Sequence, residues 1–274
     1  MNSNLSTFDQ RYLPPDVAHR LLKFLVSDET VVVGGQAVMF WAHYFNILEK
    51  SKSLTQDIDL YGMTREIEIA DQRLVNTPHK TKYTSMDDSS PNSGLITIDI
   101  DGRKDPVIVD FLWTVEGLNG VDIQERAVSM TIDGDQPLCF HILHPLMLME
   151  SKIMNLASLP KKRTTEGVEQ ARLSIEIVKC HMMTLTSERY LLKVAERIFK
   201  IANTNTSHFS EIVFKLDILQ ALAVDYMREM KVNPSFFEIR YPQMIESHQI
   251  SKDSFKRHLP AKPDIQNTSG LRFG

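Results

Sequence analysis

Residues 31–60, VVVGGQAVMFWAHYFNILEKSKSLTQDIDL, constrain the fold more than any other stretch of the chain. Val31, Val32 and Val33 are β-branched and run directly into Gly34-Gly35. A helix-patterned segment follows, and the stretch closes on Asp57-Ile58-Asp59-Leu60. A strand that stops at a glycine turn and opens a helix presents backbone N–H groups to an anion. Two carboxylates at i and i+2 of an extended segment share one face of a sheet, because side chains alternate with period 2. Such a face suits hard divalent cations lying beside a phosphate chain.

The surrounding pattern continues as alternating helices and strands. Pro14-Pro15-Asp16 starts a helix whose stripe is Val17, Leu21, Leu22, Phe24 and Leu25. Residues 30–33 predict a buried strand, 36–49 a helix packed on a sheet, 57–61 a strand and 64–76 a further amphipathic helix. Residues 77–93, rich in Ser, Asp, Pro and Gly, read as a mobile loop. The runs 95–100 and 107–115 form a hairpin about Asp101-Gly102, and 127–132 with 137–143 form another about Asp133-Gly134. From His144-Pro145 only helical periodicity remains, over 145–158, 166–182, 187–203 and 210–230. From 232 the pattern weakens into short helical pieces. A domain boundary near 143 follows, giving an α/β (α+β) mixed-sheet domain over 1–143, a helical domain over 144–258 and a flexible tail over 259–274.

Bulk properties exclude several classes. With 31 basic and 35 acidic residues the net charge is −4, so there is no global basic field for nucleic acid. No apolar run approaches the roughly 20 residues that span a bilayer, and the N-terminus lacks the basic-then-apolar order of a signal peptide. A cytoplasmic location without membrane contact is the expectation. Cys139 and Cys180 match no metal or redox spacing and read as free buried thiols. The methionines at 147, 149, 154, 182 and 183 read as core filler, and His141 and His144 as structural.

Asp110 lies inside the apolar run Val107-Ile-Val-Asp-Phe-Leu, where an unpaired carboxylate would cost several kcal/mol. Cations beside it, or a buried Arg, would offset that cost. The triplet Asp-Ile-Asp recurs at 99–101, but no Gly-Gly strand precedes it and a Gly-Arg-Lys turn follows; Asp99 reads as an exposed strand face and Asp101 as a turn residue. Asp57, Asp59, Gly62 and Glu68 fit positions 1, 3, 6 and 12 of an EF-hand loop, yet Tyr61 fills position 5 and apolar Ile58 and Leu60 favour a strand.

The order strand, Gly-Gly, helix, Asp-x-Asp strand, apolar strand with Asp resembles the nucleotidyltransferase superfamily of the polymerase-β type. The nearest likeness is to its AbiEii-type branch, found among bacterial toxins and antibiotic-modifying enzymes. There the motifs read GG-x-A and Ser/Thr-x-Asp-Ile-Asp; here they are Gly34-Gly35-Gln36-Ala37 and Thr55-Gln56-Asp57-Ile58-Asp59. The resemblance covers roughly residues 25–175. It departs in the 21 residues between Gly35 and Asp57, in the missing arginine before the Asp pair (Lys50 and Lys52 are nearby) and in Arg163-Thr-Thr-Glu166, where a Lys-Asp pattern is expected.

The resemblance implies that Asp57, Asp59 and Asp110 hold two Mg²⁺ ions, with Mn²⁺ as a substitute. It implies that an NTP binds Gly34, Gly35, Gln36 and Thr55, with Lys152 of the following helix directed to the triphosphate. The expected cleft lies between the two domains, and Lys161-Lys162-Arg163 is either a solvated run or a contact for nucleotide or a nucleic-acid acceptor. An NMP would pass to a hydroxyl acceptor, whether an RNA end, a protein or a small molecule. A catalytically silent module that meets a cognate antitoxin or regulatory partner, and a sugar-nucleotide glycosyltransferase, are the rivals.

Overall fold

The computed structural model describes residues 12–49, 53–85, 90–132 and 137–259. The chain divides into two compact units, Met1–His144 and Pro145–Gly274.

In the first unit, α1 (Pro15–Leu25), β1 (Val31–Val33), α2 (Gly34–Tyr44), β2 (Ile58–Tyr61) and α3 (Thr64–Arg73) are followed by β3 (His79–Tyr83), β4 (Asn92–Ile98) and β5 (Val107–Leu112). Helix α4 (Gly120–Glu125) and the strands β6 (Val128–Ile132) and β7 (Leu138–Ile142) complete it. The seven strands form one mixed sheet in the order β3-β4-β5-β2-β1-β7-β6. Strand β1 is antiparallel to β2 and parallel to β7, and β2 is parallel to β5. Register partners share a face of the sheet. Val32, Leu60 and Ile142 therefore line one face with Ile58, Val109, Val107, Ile96 and Ile98, all buried. Each fully buried side chain of this size contributes about 1.5–3 kcal/mol of transfer free energy. Helix α2 is buried from Gly35 to Ala42, and Trp41 Nε1 ties it to the end of β7 by donating to Leu143 O at 2.9 Å.

The second unit is helical: α5 (Pro145–Ser158), α6 (Thr165–Met182), α7 (Glu188–Ala202), α8 (Asn205–Phe214), α9 (Val224–Glu229) and α10 (Tyr241–His258). Its core gathers Met149, Ile153, Leu156, Val178, Leu191, Ile198, Phe199 and Met227. Three-residue and four-residue 3₁₀ turns lie at Pro160–Lys162 and Ile218–Ala221, and a π turn at Phe236–Arg240 runs into α10.

Several expectations are corrected. The loop expected over 77–93 contains β3 and the start of β4. Strand β3 reads HKTKY, with no apolar alternation, and holds its place by pairing with β4 and through Thr81 and His79, which both hydrogen-bond to Asp71 of α3. The helix expected over 210–230 is broken, because Lys215 takes φ +57° and ends α8. The weak pattern after 232 is the 18-residue helix α10, whose one buried residue among those described is His248. Cys139 is exposed and Cys180 half-buried, though both are free thiols. Met183 is exposed, while Met147, Met149 and Met182 are core. The expected turn Asp133-Gly134, the lysines at 50 and 52 and the tail from 260 lie outside the described residues.

Candidate active site

Asp59 and Asp110 are register partners on the adjacent parallel strands β2 and β5. Neighbouring strands stand about 4.8 Å apart, and paired side chains point the same way. Ile58 and Leu60, and Val109 and Phe111, point into the core instead and fix the register through apolar burial. Both aspartates are half-buried. Asp57 precedes β2 by one residue and lies in a bend outside the strand, so the register that pairs Asp59 with Asp110 does not extend to it.

The glycine turn meets this pair directly. Val33 is the register partner of Asp59, and Gly34 follows with φ +63°, a conformation that costs a side-chain-bearing residue about 1–2 kcal/mol. A Cβ at Gly34 would stand 2.7 Å from the Asp59 Cβ and overlap its carboxylate. Gly35 N–H donates to Asp59 Oδ2 at 3.4 Å. Thus the first turn of α2 and the Asp59 carboxylate are in contact.

Other side chains orient these groups. Asn92 Nδ2 donates to Asp110 Oδ1 at 2.6 Å. Asn92 opens β4 within the segment expected to be a loop, which is why its role could not be read from sequence. Thr55, buried, donates from its hydroxyl to Asp57 O at 3.0 Å, and its own carbonyl accepts from Leu13 N–H at 2.8 Å. Gln36, in the first turn of α2, is 2% exposed, and its Oε1 has no hydrogen-bond partner. Asp99 is exposed beyond the end of β4 and Asp101 lies in a turn, apart from the facing pair. Strand geometry at Asp59 replaces the loop that an EF-hand requires.

In the helical unit, Lys152 is buried and its Nζ donates to Gln170 Oε1 at 2.8 Å, so it is no solvated surface lysine. Arg163 is likewise committed. It donates to Leu156 O and Ala157 O at 2.8 and 2.7 Å, and its guanidinium lies 5.1 Å from the Phe209 ring centroid. Lys161 and Lys162 are exposed.

The donor set suits a divalent ion. Two carboxylates held side by side by strand register, one accepting from the Gly35 N–H and the other from Asn92 Nδ2, are the hard oxygen donors that a divalent cation takes.

These elements define a mixed α/β protein with a helical C-terminal unit. Among solved structures the chain is similar to JHP933 from Helicobacter pylori, at 10% identity and a TM-score of 0.40, over 84% of this chain and 97% of that one. It is also similar to a "putative nucleotidyltransferase" from H. pylori, at 12% identity and a TM-score of 0.31, over 88% of this chain and 96% of that one. No protein-family model and no curated protein sequence matches the chain. No helix among the described residues is long and apolar enough to cross a membrane.

Proposed function

We propose that this protein is a metal-dependent nucleotidyltransferase that moves an NMP from an NTP to a hydroxyl acceptor. The observation that carries the reading is the in-register pairing of Asp59 with Asp110 beside the Gly34-Gly35 helix start. An acidic pair facing a helix N-terminus is a site for cations that bridge to an anion, and a triphosphate is such an anion.

In this reading Asp57, Asp59 and Asp110 hold two Mg²⁺ ions, which Mn²⁺ can replace. Bound there, the ions supply charge neutralisation for the attacking oxygen and the leaving pyrophosphate. At the start of α2 the phosphates lie against the Gly34-Gly35 backbone with Gln36 behind it, the Gly35 N–H exchanging its long contact to Asp59 Oδ2 for a phosphate oxygen as the carboxylate turns to the metal. Thr55, whose hydroxyl holds the Asp57 carbonyl, borders the nucleotide in this reading. Asp110, oriented by Asn92, accepts the proton of the acceptor hydroxyl as its oxygen bonds to the α-phosphorus and pyrophosphate departs. Positioning and charge neutralisation account for most of the rate. The GG-x-A and Thr-x-Asp-Ile-Asp motifs support the AbiEii-type branch within this class. An RNA end, a protein hydroxyl or a small molecule is the acceptor, and a cognate antitoxin is the partner that branch suggests.

The test is incubation with each α-labelled NTP, Mg²⁺ or Mn²⁺ and a cell lysate, followed by fractionation of the label. Label in one acceptor fraction with wild type, and none with Asp59→Asn, supports the reading. No label, together with no Mg²⁺-dependent NTP binding by calorimetry, would leave a silent module and end it.

A further inference from the structure

The helical unit buries a second set of polar side chains, unrelated to the aspartate pair. His208 and Glu211 stand one turn apart on α8, and His248 comes from α10. They are 0%, 4% and 5% exposed. One donor atom from each lies within 4.8 Å of the other two. His248 Nε2 is 3.2 Å from Glu211 Oε2, and His208 Nδ1 is 3.9 Å from the same oxygen.

The opposite nitrogen of each ring is already engaged. His208 Nε2 lies 2.9 Å from Ser251 Oγ, and His248 Nδ1 lies 3.3 Å from Asn203 Oδ1. With Asn203 Oδ1 as the acceptor at His248 Nδ1, Nε2 is the nitrogen turned to the Glu211 carboxylate, donating to it in the imidazolium form and offering a lone pair in the neutral one. On the other side, His208 Nδ1 is fully buried without a hydrogen-bond partner. A separation of 3.9 Å is too long for a shared proton, since N–H···O bonds run about 2.7–3.2 Å. It is close to the donor spacing around a small cation, about 3.4 Å for tetrahedral ligands at about 2.1 Å.

We propose that His208 Nδ1, Glu211 and His248 Nε2 form a transition-metal site that pins α10 to α8. Two imidazoles and a carboxylate are the donor set of Zn²⁺, whereas Mg²⁺ and Ca²⁺ take oxygen ligands. Lys252 Nζ sits 3.0 Å from Glu211 Oε2 with its side chain 28% exposed. Its ammonium supplies the compensating charge in the metal-free protein, and its route to solvent lets it withdraw, still protonated, when the ion enters. Ser251 and Asn203 orient the two rings, as hydrogen-bonded outer partners do in metal sites. The proposal is independent of the transferase reading.

The test uses the full chain, stripped with chelator and titrated with Zn²⁺. About one equivalent should bind, with tetrahedral d–d absorption on Co²⁺ substitution, and His248→Ala, verified as folded by circular dichroism, should lose it. Lys252→Met keeps all three ligands and should tighten Zn²⁺ binding about tenfold or more by removing the competing cation. The second variant decides the matter should His248→Ala fail to fold. No zinc bound by wild type, equal binding by folded His248→Ala, or unchanged affinity in Lys252→Met would each overturn the site.

Discussion

Gly34 and Asp59 occupy adjoining space, because a Cβ on the glycine would fall 2.7 Å from the aspartate Cβ and into its carboxylate. The glycine also holds φ +63°. Gly34→Ala therefore meets two penalties, about 1–2 kcal/mol of backbone strain and a displaced Asp59. The variant should lose about 1–3 kcal/mol in denaturant unfolding, and transfer should fall further than that stability loss explains.

Asp59→Asn and Asp110→Asn replace carboxylates that face one another across β2 and β5. Transfer should fall about 10²-fold or more in each, while thermal stability without metal holds or rises because one of two neighbouring like charges is removed. Asp99→Asn, at an exposed position, is the control and should change stability by less than about 0.5 kcal/mol. Steady-state rates and melts of the three variants check both halves.

Asn92→Ala removes the donor to Asp110 Oδ1. Outer partners of metal-binding carboxylates are worth about 10–100-fold in affinity or activity. The expected signature is a raised Mg²⁺ requirement with rate partly recovered at high metal, measured as turnover against Mg²⁺ concentration.

Asp71 links α3 to β3, and its carboxyl lies below its ordinary value. The hydrogen bond from Thr81 is the main cause, burial opposes it and His79 adds to it. A depressed folded-state pKa gives stability that is present above the ordinary value of 3.8 and lost as pH falls below it. Thr81→Val should flatten the decline in stability between about pH 5 and pH 3. The effect is small, since the Asp71 side chain is 41% exposed. Urea midpoints across that range check it.

Arg163 satisfies two carbonyls at the end of α5 while lying over Phe209, and burial pulls its guanidinium below the usual arginine range. Arg163→Ala should cost about 1.5–3 kcal/mol, as for a hydrogen-bonded charged group. Arg163→Lys should recover little, because an ammonium cannot donate in a planar fork. Equilibrium unfolding of both variants measures the difference.

The fold class was legible because apolar periodicity is strong where burial is strong. Val31–Val33, the buried part of α2 and Val107, Val109 and Phe111 of the Val107–Leu112 run report core positions directly. Polar segments placed by long-range partners were not legible. Strand β3 owes its position to β4 and Asp71, and α10 buries only His248 among its described residues. The facing of Asp59 and Asp110 depends on a parallel register across 51 positions of sequence, which motif order suggests but cannot fix. The His208–Glu211 pair was visible at i, i+3, but its third member lies far along the chain.

Among the described residues β3 and β6 are the outermost strands of the sheet, the position where backbone groups lack a ladder partner on one side. Along β3, Lys80 and Lys82 are exposed and flank the inward Thr81. A second copy stacking there would have to strip water from two ammonium groups for each pair of new backbone bonds. The unpromising composition that hides this strand from pattern reading thus also guards it against fibrous self-association.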